Sequence, residues 1–275
     1  MTATTAGGFD ADTRAARAGD NEYTATVTDR WNALGGTANG GYLLALCLQA
    51  LRRDMPLPDP LAVSAFFLRP GVPGPARVRT EVARAGRRFA TGEARLHQGG
   101  KEAVRICATF TDLARAAGRT LVRNAAPLLP PPDACTDLLG GAGMPGVTIA
   151  ERVEYRFARV PGWWRGEPGG ELTAEFWMRF KDGRDADLPA LALLVDAAAP
   201  VVLDIGETGS STLQLTVHLR ARPAPGWLAC RVTTRHIIDG HHEEDFEIWD
   251  SGGALVAQAR QLAALNGDGT RHRTP

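Results

Sequence analysis

The 275-residue sequence predicts an α+β fold built twice in one chain, with two long antiparallel sheets each wrapped around one central helix. Three observations predict it. Residues 66–110 and 217–264 repeat one order of features: Leu-Arg at a strand end, a Pro/Gly turn, two long alternating segments, and a Gly-Gly turn before a last strand. Leu68-Arg69 answers Leu219-Arg220 and Gly99-Gly100 answers Gly252-Gly253, an offset of about 150 residues, near ordinary domain size. The long segments alternate with period 2, and each half places one apolar helical stretch ahead of them.

The first helical stretch spans about 40–53 behind Asn39, a good N-cap. In the strands that follow, Val104, Ile106, Ala108 and Phe110 share one apolar face. Residues 124–146, NAAPLLPPPDACTDLLGGAGMPG, are rich in Pro and Gly and read as a linker. The expected organisation is an N-terminal unit over 1–123, a linker over 124–150 and a C-terminal unit over 151–275. In the second unit Leu172, Ala174, Phe176, Met178 and Phe180 form the apolar face of a strand. A helix over about 188–199 follows, with Asp187 as N-cap and Pro189 near its first position.

Composition narrows the function. With 31 Lys+Arg against 31 Asp+Glu the formal charge is +0, so a nucleic-acid partner is not expected, because phosphate neutralisation needs a cationic surplus. Only Lys101 and Lys181 are lysines, and this Arg-, Ala-, Gly- and Pro-rich usage resembles that of a GC-rich bacterial genome. The N-terminal stretch has no signal-peptide pattern, and the apolar runs are too short to span a membrane. Cys47, Cys107, Cys135 and Cys230 are scattered without a CxxC, which suits free buried thiols in a cytoplasmic location. Nucleophile-elbow and nucleotide-binding motifs are missing. His241, His242, Glu243 and Asp245 invite a metal, yet adjacent strand side chains face opposite ways, so the segment 239–245 reads as a solvated hairpin turn. No metal or cofactor is expected.

Two polar residues break the apolar pattern. Gln261 shares a face with Leu255, Ala257, Ala259, Ala263 and Leu265, and Asp196 lies inside LALLVDAAAPVV. Burying such groups is costly, so each needs a structural hydrogen-bond partner or a chemical task. Thr212 falls on the polar parity of its strand with Gln214, Thr216 and His218, where a solvent-facing Thr belongs. Asn39-Gly40-Gly41 is either a plain helix start or a place where open backbone N–H groups meet a ligand.

From about residue 20 to 265 the chain resembles the acyl-CoA thioesterase II family, whose fold is a double hotdog. The resemblance rests on Asn39-Gly40-Gly41-Tyr42-Leu43, Phe67-Leu68-Arg69-Pro70-Gly71, Arg84-Ala85-Gly86-Arg87-Arg88-Phe89, Trp177-Met178-Arg179, Asp196, Ser211-Thr212-Leu213, and Val256-Ala257 followed by Gln261. It implies that Asp196, Thr212 and Gln261 hold and activate a water that hydrolyses an acyl-CoA or acyl-carrier thioester. Asn39, Gly40 and Gly41 would then serve the substrate, with Arg84 and Arg88 either reaching CoA phosphates or forming a solvated rim. A homo-oligomer, dimer or larger, of double-hotdog units is expected. Leu61 and Ser64 stand where some members carry histidines, and Gln214 where an Asp is common. A non-catalytic acyl-CoA-binding module ranks second, and a hotdog hydratase or dehydratase of enoyl or 3-hydroxyacyl thioesters third.

Overall fold

The computed structural model describes residues 8–140 and 144–266. Residues 1–7, 141–143 and 267–275, which belong to the expected N-terminal unit, linker and C-terminal unit in turn, lie outside the described residues. In chain order, a short helix α1 (Phe9–Asp12) leads into β1 (Ala16–Gly19), β2 (Glu22–Val27), the long helix α2 (Gly40–Leu51), β3 (Asp59–Phe67), β4 (Gly74–Ala85), β5 (Ala90–Gln98) and β6 (Lys101–Thr111). The second half follows with β7 (Thr136–Asp137), β8 (Val153–Phe157), β9 (Thr173–Phe180), helix α3 (Leu188–Leu194), β10 (Ser210–Leu219), β11 (Leu228–Thr233), β12 (Ile237–Ile238), β13 (His241–Trp249) and β14 (Leu255–Leu265).

Among the described residues the two sheets are joined edge to edge into one of 14 strands, in the order β1-β2-β4-β5-β6-β3-β10-β14-β13-β11-β9-β8-β7, with β12 on β13. The order is symmetric about the β3–β10 pair: β6 matches β14, β5 matches β13 and β4 matches β11. Main-chain bonds repeat as well. Arg69 N–H donates to Ala103 O at 3.2 Å and Arg220 N–H to Val256 O at 2.8 Å. The join itself is antiparallel, with Val63 opposite Val217 and the Ser64 and Thr216 hydroxyls 3.2 Å apart. Arg222 adds a paired contact to the buried Asp59 at 2.8 and 2.9 Å.

The helices lie against each other inside this sheet. Residues Tyr42–Leu48 of α2 are all buried, so this helix is apolar nearly all round, as its enclosed place requires. Asn39 caps it through Oδ1, which accepts from Tyr42 N–H at 3.0 Å. Asp187 caps α3 in the same way, accepting from Ala190 N–H at 2.9 Å, and Pro189 sits in its first turn.

The second helix is shorter than the sequence suggests. It ends at Leu194, and Asp196 lies in the turn beyond it rather than within the helix. The last turn tightens, with Asp196 N–H bonded to Leu193 O at 3.0 Å and Ala197 N–H to Leu194 O at 3.2 Å. Pro200 also prevents continuation. All four cysteines are free, but Cys107 is exposed, because it shares the outer face of β6 with Arg105. No helix is long and apolar enough to cross a membrane among the described residues.

Leu46, fully buried in the middle of α2, tests the role of this helix. Leu46→Ala should lower the unfolding free energy in urea by about 2–5 kcal/mol, the range for emptying a buried leucine site, with an unchanged denaturant slope.

Candidate active site

Asp196 is held from the other half of the chain. Its Oδ2 accepts Gly41 N–H at 2.7 Å and Asn39 Nδ2 at 3.1 Å, and its backbone oxygen accepts Asn39 Nδ2 at 2.7 Å. Asn39 therefore uses its oxygen to cap α2 and its amide nitrogen to tie down the turn after α3. Tyr155 steadies the same turn by donating to Ala197 O at 2.6 Å. Both glycines are required by proximity. A Cβ on Gly41 would stand 2.5 Å from Leu193 O, and one on Gly40 would stand 2.9 Å from the Phe67 ring and 3.0 Å from Asp196 Oδ2. Burial raises Asp196 to about 6, against the pull of the Gly41 and Asn39 bonds. The positive end of the α2 dipole also favours its ionised form.

Thr212 reaches the same place through a β-bulge. The β10–β14 register shifts between Thr212 and Gln214, so Thr212 stands opposite Ala263 while Gln214 stands opposite Leu262. Ala263 is buried and Leu262 exposed, so the extra residue, Leu213, returns Thr212 to the inner face. Its expected solvent-facing placement is corrected on that account. Thr212 Oγ1 then donates to Gln261 Oε1 at 2.6 Å. Gln261 is buried, as the alternation of β14 requires.

The sequence reading missed Glu244. The segment 239–245 is a solvated turn only at its start, where Asp239 and Gly240 take positive φ. From His241 onward it is strand β13, and His242 and Glu244 are buried on the inner face with Phe246 and Ile248. Counting the alternation back from Phe246 would have placed Glu244 inside. Glu244 Oε1 accepts from Gln261 Nε2 at 2.8 Å and Oε2 from Val201 N–H at 3.0 Å. Burial raises it to about 7 against those two bonds, and ionised Asp196 pushes it up further.

Asn39, Gly40, Asp196, Thr212, Glu244 and Gln261 all line one cavity of about 770 Å³. Much of its wall is apolar, including Leu43, Phe67, Tyr155, Phe157, Trp164 and Phe176. The segment 124–150 contributes Leu128, Leu129, Leu138 and Leu139 to this wall. The Trp163–Trp164 loop is pinned by Asp204, which accepts Trp163 N–H at 2.8 Å and Glu171 N–H at 3.1 Å.

Arg84 and Arg88 do not belong to this wall. They sit at the β4–β5 turn, where Ala85 pairs with Ala90, and Ala90 lies in register with Phe110 and Pro60 at the start of β3. The cavity takes Phe67 to Gly71 from the other end of that strand, about 23 Å away at the usual rise per residue. Among the described residues, the arginines that line the cavity are Arg69, Arg159 and Arg165. Arg69 was visible in the Leu-Arg-Pro-Gly motif, whereas the other two had no sequence signal.

With this geometry in view, two family models match the chain. Residues 27–111 match an acyl-CoA thioesterase N-terminal domain and residues 132–265 an acyl-CoA thioesterase C-terminal domain. The chain belongs to the acyl-CoA thioesterase family. An uncharacterized protein of Mycobacterium tuberculosis is 31% identical over 263 residues, covering 87% of this chain and 89% of the relative. Among solved structures, a candidate thioesterase II of Thermobifida fusca YX superposes with a TM-score of 0.85 at 29% identity, covering 94% of this chain and 97% of that one. A hotdog-fold protein of unknown function from Alicyclobacillus acidocaldarius gives 0.84 at 22% identity, with 94% and 98% covered. The fold is thus the double hotdog.

Asp196 and Glu244 hold their protons more tightly here than at their ordinary values of 3.8 and 4.5. The stability they contribute is full below those values and is lost as pH rises through about 6 and about 7. Asp196→Asn removes one such group, so its urea midpoint should gain on that of the wild type as pH rises from about 4 to about 8. A pH-independent offset between the two proteins would contradict the assigned shift.

Proposed function

We propose that the chain hydrolyses an acyl-CoA or acyl-carrier thioester to free acid and thiol by direct attack of water. The observation that carries this reading is the convergence of Asp196 with the Thr212–Gln261 pair on one largely apolar cavity. The acyl group occupies the apolar part, and Arg69, Arg159 and Arg165 on the wall offer charge to a phosphorylated carrier.

Water is held between Asp196 and Thr212. Its oxygen bonds to the thioester carbon as one of its protons passes to Asp196, so the carbonyl oxygen becomes negative. Of the first amides of α2, Gly41 N–H is bonded to Asp196 and Tyr42 N–H to Asn39. Gly40 N–H has no protein acceptor among the described residues and is the donor we assign to the developing oxyanion. Collapse of the intermediate breaks the C–S bond, and the proton on Asp196 goes to the departing thiolate. Water is consumed, acid and thiol are formed, and no cofactor enters.

Hydratase chemistry on such a fold pairs an Asp with a His, and no histidine is among the described residues that line the cavity. A binding module would retain acyl-CoA without releasing thiol.

Thiol release from a panel of acyl-CoA thioesters, followed with a chromogenic disulfide, distinguishes these cases. The wild type should turn over at least one thioester, and Asp196→Asn should lower kcat by about 10²–10⁴, the usual contribution of an acid–base group. Equal turnover by both proteins would remove Asp196 from the reaction.

A further inference from the structure

The polar wall contains a carboxylate that the hydrolytic steps leave without a task. Glu244 ends a chain of hydrogen bonds that all run one way. Thr212 donates to Gln261 Oε1, Gln261 Nε2 donates to Glu244 Oε1, and Val201 N–H donates to Glu244 Oε2. An ionised carboxylate only accepts, so it claims the NH₂ side of the Gln261 amide and leaves the carbonyl side to Thr212. A threonine hydroxyl has one hydrogen, and here it is committed to Gln261. Only lone pairs remain for Thr212 to offer the cavity.

We propose that Glu244 is a positioning residue that sets the direction of this chain, so that Thr212 and Asp196 both present acceptors to the attacking water. The proposal rests on the hydrolytic reading of the Asp196 site. Water gripped through its two hydrogens keeps its lone pairs free for the thioester carbon. Protonated Glu244 would reverse the arrangement. Its O–H would donate to Gln261, the amide would turn, and its NH₂ would face Thr212. The threonine hydrogen would then swing onto the water oxygen and occupy a lone pair that the attack needs.

The surroundings place this reversal near neutral pH. Glu244 is buried and sits at about 7, while Asp196 sits at about 6. Asp196, in the turn after α3, is the charged group acting on Glu244. Gln261 on β14, Thr212 on β10 and the Val201 amide are neutral partners. His242, two residues earlier on β13, is kept neutral by a burial-lowered pKa.

The test uses the full chain with acetyl-, octanoyl- and palmitoyl-CoA, and reads kcat and KM from about pH 5 to 9. Glutamine at 244 has one oxygen, which Val201 N–H takes, so its NH₂ turns Gln261 around. Glu244→Gln should therefore lower kcat at least a hundredfold on the pH plateau and leave KM within about twofold. The acid limb of log kcat against pH should become clearly steeper than one in the wild type, for loss of Asp196 and Glu244, and keep a slope of one in Glu244→Gln. The exchanged pair Glu244→Gln/Gln261→Glu puts the acceptor-only group next to Thr212 again and should recover most of the lost kcat. A wild-type acid limb of slope one overturns the proposal even where the variants fail to fold. So does a Glu244→Gln protein with wild-type kcat, or an exchanged pair no better than the single variant. If Asp196→Asn is inactive while Glu244→Gln is unaffected, the hydrolytic reading stands and this inference falls; a wild type that releases no thiol from any of the three removes both.

Discussion

The grip of the α2 N-terminus on the Asp196 carboxylate joins the two halves of the chain and builds the candidate site in one contact. Gly41 N–H and Asn39 Nδ2 come from the first half and the carboxylate from the second. Much else in the structure follows from it. Glycine is needed at positions 40 and 41 because side chains there would collide with Phe67, Leu193 and Asp196. Helix α3 stops early so that its following turn can reach α2. A partial positive charge at the helix end offsets some of the cost of an enclosed carboxylate. The halves therefore cannot part without dismantling the site.

Around that contact the wall divides its tasks by hydrogen-bonding capacity. Asp196 keeps one oxygen bound to α2, which fixes its orientation toward the cavity. Thr212, Gln261 and Glu244 form a relay across three neighbouring strands, β10, β14 and β13. Two carboxyls facing the same cavity would repel if both were bare, and burial separates them in strength from their ordinary values. The remaining wall is built by segments with little regular structure, 124–150 and the Asp204-held loop around Trp163. Loops on a rigid sheet are suited to shaping a substrate pocket, because they vary without disturbing the core.

Local pattern revealed those candidate-site residues whose position depends on their immediate neighbours. Asn39 stands out as a cap, Gln261 as a polar break in an apolar strand face, and Asp196 as a charge in an apolar stretch. Each is legible because a helix turn or a strand alternation is a local rule. Thr212 was reachable only by resemblance, since one extra residue in β10 inverts its parity. Glu244 was hidden by its surroundings, because a run of His, Glu and Asp looks like solvent-facing sequence until its strand is paired. Arg84 and Arg88 lie away from the cavity wall, because proximity along a hairpin says nothing about which end of the sheet bears the cavity.

By itself, the sequence determined the doubled α+β plan, the caps of both helices, the inward face of β14 and the two polar residues that interrupt an apolar run and an apolar strand face. These follow from periodicity and desolvation, which act over a few residues and leave their mark in composition. Tertiary structure alone decided that Asp196 meets the first half at Gly41, that the Leu213 bulge turns Thr212 inward, that Glu244 anchors Gln261, and that Arg69, Arg159 and Arg165 rather than Arg84 and Arg88 face the cavity. Those outcomes depend on strand register and on contacts between residues as far as 157 positions apart, which no local window contains.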